Sequence, residues 1–261
     1  MNEESPAAQP VATDAAPPLA AERSLPPPWG FWTTAAWTLI SFAIGGAIVG
    51  GGVLWLNWNA LDKIPEPQED AWFSLQLIAI NAVQIAVLAA AARLRGWPAA
   101  HYLGLTRPRG RDIVKGFLGL VVVLGVLEIL THLLGRQSVT PFQTDAYRAA
   151  QATGVLALML MWLAFVVAAP VGEEVVFRGF LFRGWAASRL GVVGTIVLSA
   201  LIFSAAHTQY DWFGVFQTFC LGALFAWLRW RSGSTAVTIL LHVTVNFVST
   251  VWTALVAQGL V

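Results

Sequence analysis

Ionisable side chains are scarce in this sequence, and four groups of them fall inside apolar runs. They are Glu173-Glu174-Val175-Val176-Phe177-Arg178, Phe203-Ser204-Ala205-Ala206-His207, His242-Val243-Thr244-Val245-Asn246, and Glu128 with His132. A charge or amide surrounded by hydrocarbon is costly, so each such residue needs a partner or a task. Adjacent glutamates on a helix point about 100° apart. Glu174 and Arg178 are spaced i, i+4 and can pair on one face. Glu173 then faces elsewhere without that counter-charge, a placement that suits a general base. A lone histidine such as His207 is usually a packed, hydrogen-bonded residue. Glu173, however, lies 17 residues before Leu190 and His207 lies 17 after it. An antiparallel hairpin turning at Leu190-Gly191 therefore puts the two at similar depth, facing each other. His242 and Asn246 project from one helix face and need a common polar target, either a reacting oxygen or an interhelical hydrogen bond. Glu128 and His132 read as structural, satisfying each other or an arginine of the bundle.

Peptide hydrolysis needs a nucleophile, a proton acceptor and donors for the developing oxyanion. Glu173 can take a proton from water, His207 can fix that water, and Asn246 and His242 offer an amide and a ring donor. No Gly-x-Ser-x-Gly is present, Ser199 and Ser204 have no evident base, and Cys220 has no assigned histidine. These absences argue against a covalent intermediate. Zinc held by Glu173, His207 and His242 is the rival arrangement, although the His-Glu-x-x-His signature is absent.

The elements that must carry these residues follow from composition. Of 261 residues, 57% are hydrophobic and 11% charged, against about 25% charged in an ordinary soluble domain. Segments 71–92, 149–172, 190–210 and 232–261 contain no Asp, Glu, Lys or Arg. About 20 apolar helical residues cross a bilayer core. The runs are continuous rather than alternating, so the fold class is all-α, a polytopic transmembrane helical bundle and not a barrel. Spans are expected at roughly 33–54, 72–93, 114–134, 151–172 (running on past 180), 191–207, 212–229 and 234–257. That makes seven, within a range of six to eight. No internal repeat points to a transporter built of inverted halves.

Residues 1–28 read as a disordered tail with no secretory signal. Trp29 and Trp32 before the first span, and Trp55 and Trp58 after it, form the expected aromatic belts. Gly46 and Gly50 within that span are spaced for close helix contact. A net charge of +1 and the lack of a basic-aromatic pattern exclude a nucleic-acid partner. The single Cys220 excludes an internal disulfide and packs as a small hydrophobe. Twelve of the fifteen basic residues fall at one end of the alternating spans; only Lys63, Arg136 and Arg148 fall at the other. By the positive-inside rule the rich end, and with it the N-terminus, is cytoplasmic.

The three motifs in this order, Glu-Glu-x-x-x-Arg, Phe-x-x-x-His and His-x-x-x-Asn, resemble those of the CPBP intramembrane proteases. That family includes type II CAAX prenyl endopeptidases and bacterial proteins linked to bacteriocin processing or immunity. The resemblance covers roughly residues 150–250. It implies Glu173 as the glutamate that activates water, His207 as the histidine that helps hold it, and His242 with Asn246 as the oxyanion pair. Glu174 and Arg178 match positions with a structural role. It further implies a metal-free site, zinc being the alternative, and a division into tail (1–28), N-terminal helices (29–148) and catalytic membrane core (149–257). The expectation is an integral protein of a bacterial cell membrane, its partners the lipid bilayer and a membrane-associated protein or peptide substrate reached through a cavity open to the cytoplasm. A non-catalytic immunity or scaffold protein of the same fold, and a transporter, are the competing classes.

Overall fold

The computed structural model describes residues 25–56 and 71–261. The expected tail lies outside the described residues up to position 24, as do Trp58 and the side chain of Trp55. Every regular element among the described residues is helical. In order they are α1 (Phe31–Leu56), α2 (Ala71–Leu94), a single turn α3 (Ala99–Tyr102), α4 (Gly110–Leu133), α5 (Pro141–Thr153), α6 (Val155–Ala186), α7 (Gly191–Ala205), α8 (Trp212–Ser232) and α9 (Thr235–Ala257). Six of them, α1, α2, α4, α6, α8 and α9, are long and apolar enough to cross a membrane. The protein is a polytopic helical membrane protein. Its outward surface fits that solvent: Leu118, Val121, Val122, Val126 and Ile129 of α4 are all more than half exposed. They need no protein partner, because lipid is as apolar as they are.

The seventh expected span is α7, and it is short. Its 15 residues rise about 22 Å against a hydrocarbon core of about 30 Å. The helix stops at Ala205, so His207 lies just beyond it rather than inside a span. The expected span from residue 151 also starts later. Thr140 and Gln143 cap α5, and Gly154, at φ 126°, breaks the chain between α5 and α6. The tight helix contact predicted at Gly46 and Gly50 occurs one residue away. Gly45 lies against Ile80 of α2, which a Cβ there would meet at an ordinary contact distance of 3.5 Å, while Gly46 and Gly50 face open space. Trp32 is 80% exposed, as a belt residue should be. Trp29 instead packs inward, its Nε1–H donating to Ala91 O.

Helix α6 is 32 residues long and is not uniformly α. Two stretches, Leu163–Ala168 and Val175–Leu181, are π-helical and flank the segment Ala169–Glu174. A π turn holds an extra residue and disturbs the local carbonyl bonding. A side chain from another helix bonds to a carbonyl in each stretch. Asn246 Nδ2 donates to Phe165 O at 2.8 Å, and Arg229 Nε donates to Arg178 O at 2.9 Å.

The end of the bundle where α6 meets α7 and α8 meets α9 is tied to the connection between α2 and α4. Arg183 donates to Tyr102 O and His101 O, Thr235 Oγ1 to Leu103 O, and Ser234 Oγ to Thr106 O. Arg95 and Trp97 donate to Pro27 O and Pro26 O. Tyr102 is fully buried there, and burial pushes its phenol up to about 12. The apolar core beneath comprises Trp97, Tyr102, Leu103, Val175, Val176, Phe177, Phe180 and Leu181, each at most 6% exposed.

Candidate active site

The Glu-Glu-x-x-x-Arg motif straddles the junction of the α segment and the second π stretch of α6. Glu174 and Arg178 are both completely buried, and Arg178 Nη1 donates to Glu174 Oε1 at 2.9 Å. The pair read from its spacing is therefore present. Arg178 makes further contacts from the same level: Nη2 donates to Gly222 O of α8 at 2.9 Å, and the guanidinium lies 4.4 Å from the Phe203 ring centroid. A buried ion pair is tolerable only when extra bonds satisfy its remaining polar atoms, and α8 supplies one.

Helix α9 brings in the third motif. His242 Nδ1–H donates to Glu174 Oε1 at 2.9 Å. Its Nε2 lies 3.7 Å from Glu173 Oε2. The imidazole thus sits between the two adjacent carboxylates, bonded to one and facing the other. Glu173 is the exposed member, its side chain 28% accessible.

Phe203 carries the second motif to the same place. Its ring is 6.0 Å from that of His242 and 4.7 Å from that of His207. His207 Nδ1–H donates to Phe203 O at 2.7 Å, an arrangement that in the neutral ring leaves Nε2 as the acceptor. Tyr210, which the sequence reading passed over, stacks on His207 at 5.8 Å and 18°. Burial, and then the negative charge of Glu173, push its phenol up. The only sequence signal for Tyr210 is its position three residues after His207 in a loop.

Residues of all three motifs therefore lie around Phe203. Asn246 shares the His242 face, but its amide is engaged by Phe165 O, the interhelical alternative raised by the sequence. Glu128 and His132 lie apart from this cluster, and Glu128 accepts from Ser138 Oγ at 2.7 Å instead of pairing with His132. Among the described residues, no group of three or more His, Cys, Asp and Glu side chains is placed to hold a metal ion.

Residues 155–248 match a family model described as type II CAAX prenyl endopeptidase Rce1-like. This stretch is similar to that family. All seven motif residues lie within it, and the match bears out the resemblance to the CPBP proteases. An Escherichia coli protein described as an uncharacterized 24.3 kDa protein is 27% identical over 126 residues, which is 47% of this chain and 58% of that relative. The chain thus spans less than two thirds of the relative it matches. No solved structure matches.

Proposed function

We propose that the Rce1-like region is an intramembrane endopeptidase that hydrolyses a peptide bond of a membrane-associated protein or peptide with a water activated by Glu173. The observation that carries this reading is the placement of His242 between Glu174 and Glu173, with His207 across Phe203 on the exposed side. Glu173 is the carboxylate with room for a water. His207, its Nδ1–H held by Phe203 O, turns a lone pair on Nε2 to the same water and orients it. The water attacks the scissile carbonyl, its proton passes to Glu173, and that carboxyl then returns the proton to the leaving amine.

Stabilising the oxyanion falls to His242 and Asn246. With Nδ1–H on Glu174, His242 can donate from Nε2 only when the ring carries both protons. Glu174 and Arg178 are positioning residues in this scheme: Arg178 fixes Glu174, and Glu174 fixes the ring. Asn246 keeps one N–H on Phe165 O, so its second amide N–H is the donor left for an oxyanion. The deciding experiment is turnover of a membrane peptide by wild type and Glu173→Gln, purified alike. Loss of cleavage with a normal melting profile supports the assignment, and equal cleavage removes it.

A further inference from the structure

We infer that Tyr210 is a positioning residue: its ring, folded back by the turn 207–210 and stacked on His207, holds that imidazole in the plane that leaves Nε2 for the water beside Glu173. This deepens the proteolytic reading and rests on it for the water. The stack itself rests on geometry alone.

His207 needs such a hold because no helix provides one. Helix α7 stops at Ala205. Ala206 N still reaches back four residues, to Ile202 O at 3.0 Å, but His207 N reaches only Ser204 O, also at 3.0 Å. The imidazole therefore stands on a chain that has left the helix. Its Nδ1–H donates to Phe203 O at 2.7 Å, and its ring meets the edge of the Phe203 ring at 4.7 Å and 64°. A single hydrogen bond fixes a direction and leaves the ring free to tilt about it. A face contact fixes the plane. Tyr210 supplies that contact at 5.8 Å and 18°, the geometry of an offset stack.

The backbone delivers Tyr210 to this place. Tyr210 N donates to His207 O at 3.1 Å and closes a four-residue turn, whose first and last residues lie close together. The exit of the turn is anchored by Asp211, which caps α8 by accepting from Phe213 N and Gly214 N. Behind Tyr210 stands Gly214. A Cβ there would fall 2.8 Å from Tyr210 Cβ and 3.2 Å from its Cγ, so glycine lets the tyrosine brace directly against α8. Tyr210 is also near enough to Glu173 for that carboxylate's charge to raise its phenol, and the three side chains belong to one site.

Two variants and two measurements test the role. Tyr210→Phe keeps the ring, and Tyr210→Ala removes it. The first measurement needs no turnover. Nitrogen NMR of histidine-labelled protein in detergent, at a pH where the rings are neutral, reports the tautomer of each imidazole, and His207→Gln identifies the His207 signals among those of the four histidines. Expected is a single Nδ1–H tautomer at His207 in wild type and Tyr210→Phe, and a mixture of both tautomers in Tyr210→Ala. The second measurement is cleavage of a membrane peptide. Tyr210→Ala should lower kcat by about 10- to 10²-fold with little change in KM, the scale of a misplaced catalytic group, and Tyr210→Phe should recover most of that loss.

An unchanged tautomer and kcat in Tyr210→Ala, with only a lower melting temperature, would reduce Tyr210 to packing and overturn the inference. Equal loss of kcat in Tyr210→Phe and Tyr210→Ala would overturn it as well, by giving the role to the hydroxyl. Where Tyr210→Ala does not accumulate, Tyr210→Leu fills the space without a flat face and carries the same expectation. A wild type that cleaves nothing would refute the protease, and the tautomer measurement would still decide whether Tyr210 orients His207.

Discussion

The Nδ1–H of His242 is bonded to Glu174 at 2.9 Å, while Glu173, its neighbour in sequence, faces the other ring nitrogen at 3.7 Å. Two identical side chains thus hold different relations to one imidazole. The buried one is bonded to both Arg178 and His242 through Oε1, and the other is the more accessible of the two.

Different consequences of neutralising each glutamate follow. Glu173→Gln should abolish cleavage with little change in melting temperature. Glu174→Gln should destabilise by about 3–5 kcal/mol, the usual cost of leaving one member of a buried pair uncompensated, because Arg178 has no exposure to water. Melting curves and cleavage rates on the same two preparations check both.

Asn246→Ala separates two roles. As an oxyanion donor it should cost about 10²–10³-fold in kcat with little change in KM. As the partner of Phe165 O alone, its loss should lower the melting temperature and leave kcat near normal. An unstable but fully active variant would refute the catalytic role.

Cleavage by a glutamate-activated water should survive thorough chelation, and active protein should carry no stoichiometric zinc. Activity lost to a chelator and restored by Zn²⁺ would establish the metal alternative instead. Inhibition by added zinc would not, since two histidines and a carboxylate trap it adventitiously.

Helix α2 supports the site through one close contact. A Cβ on Gly172 would run into the side chain of Asn81, which is itself buried and bonded to Leu77 O at 2.8 Å. Gly172→Ala should cost about 1–3 kcal/mol by overpacking and lower kcat by displacing Glu173. Adding Asn81→Ala should recover much of both, a non-additivity expected of touching residues.

Asp211, the N-cap of α8, supplies a pH-dependent term. Its carboxylate accepts from Gly214 N at 2.9 Å, pairs with Arg136 and accepts from Phe213 N, and these hold it below the usual carboxylate range. A depressed folded pKa means that this stabilisation is present above the unfolded value of about 3.9 and is lost as pH falls through the folded one. Asp211→Ala should flatten the acid limb of the stability profile, whereas Asp211→Asn should keep the helix cap and lose only the Arg136 charge pairing.

The spans were legible because lipid demands long apolar runs, and that demand is written in composition. The Glu174–Arg178 pair was legible from i, i+4 spacing. Equal path lengths from Leu190 put Glu173 and His207 at similar depth, while nothing in the spacing marked Phe203 as the ring between His207 and His242. Less could be read where backbone geometry decides. A π stretch changes no residue type, so neither Leu163–Ala168 nor Val175–Leu181 leaves a mark on hydropathy. Phe165 gives no hint in sequence that its carbonyl would claim the Asn246 amide. Tyr210 was missed because a loop has no period from which to read a face.

The π stretches also settle an allocation that side-chain chemistry leaves open. Successive helical positions differ by about 100°, so moving the first bulge past Ala169–Glu174 would turn that segment by roughly the angle that separates Glu173 from Glu174. Which glutamate meets Arg178 and which meets solvent is then a matter of winding phase. A one-residue deletion within Leu163–Ala168 would carry Glu174 to the wet position that Glu173 holds and put Val175 in the dry one, and the division of labour between two chemically identical groups would be lost.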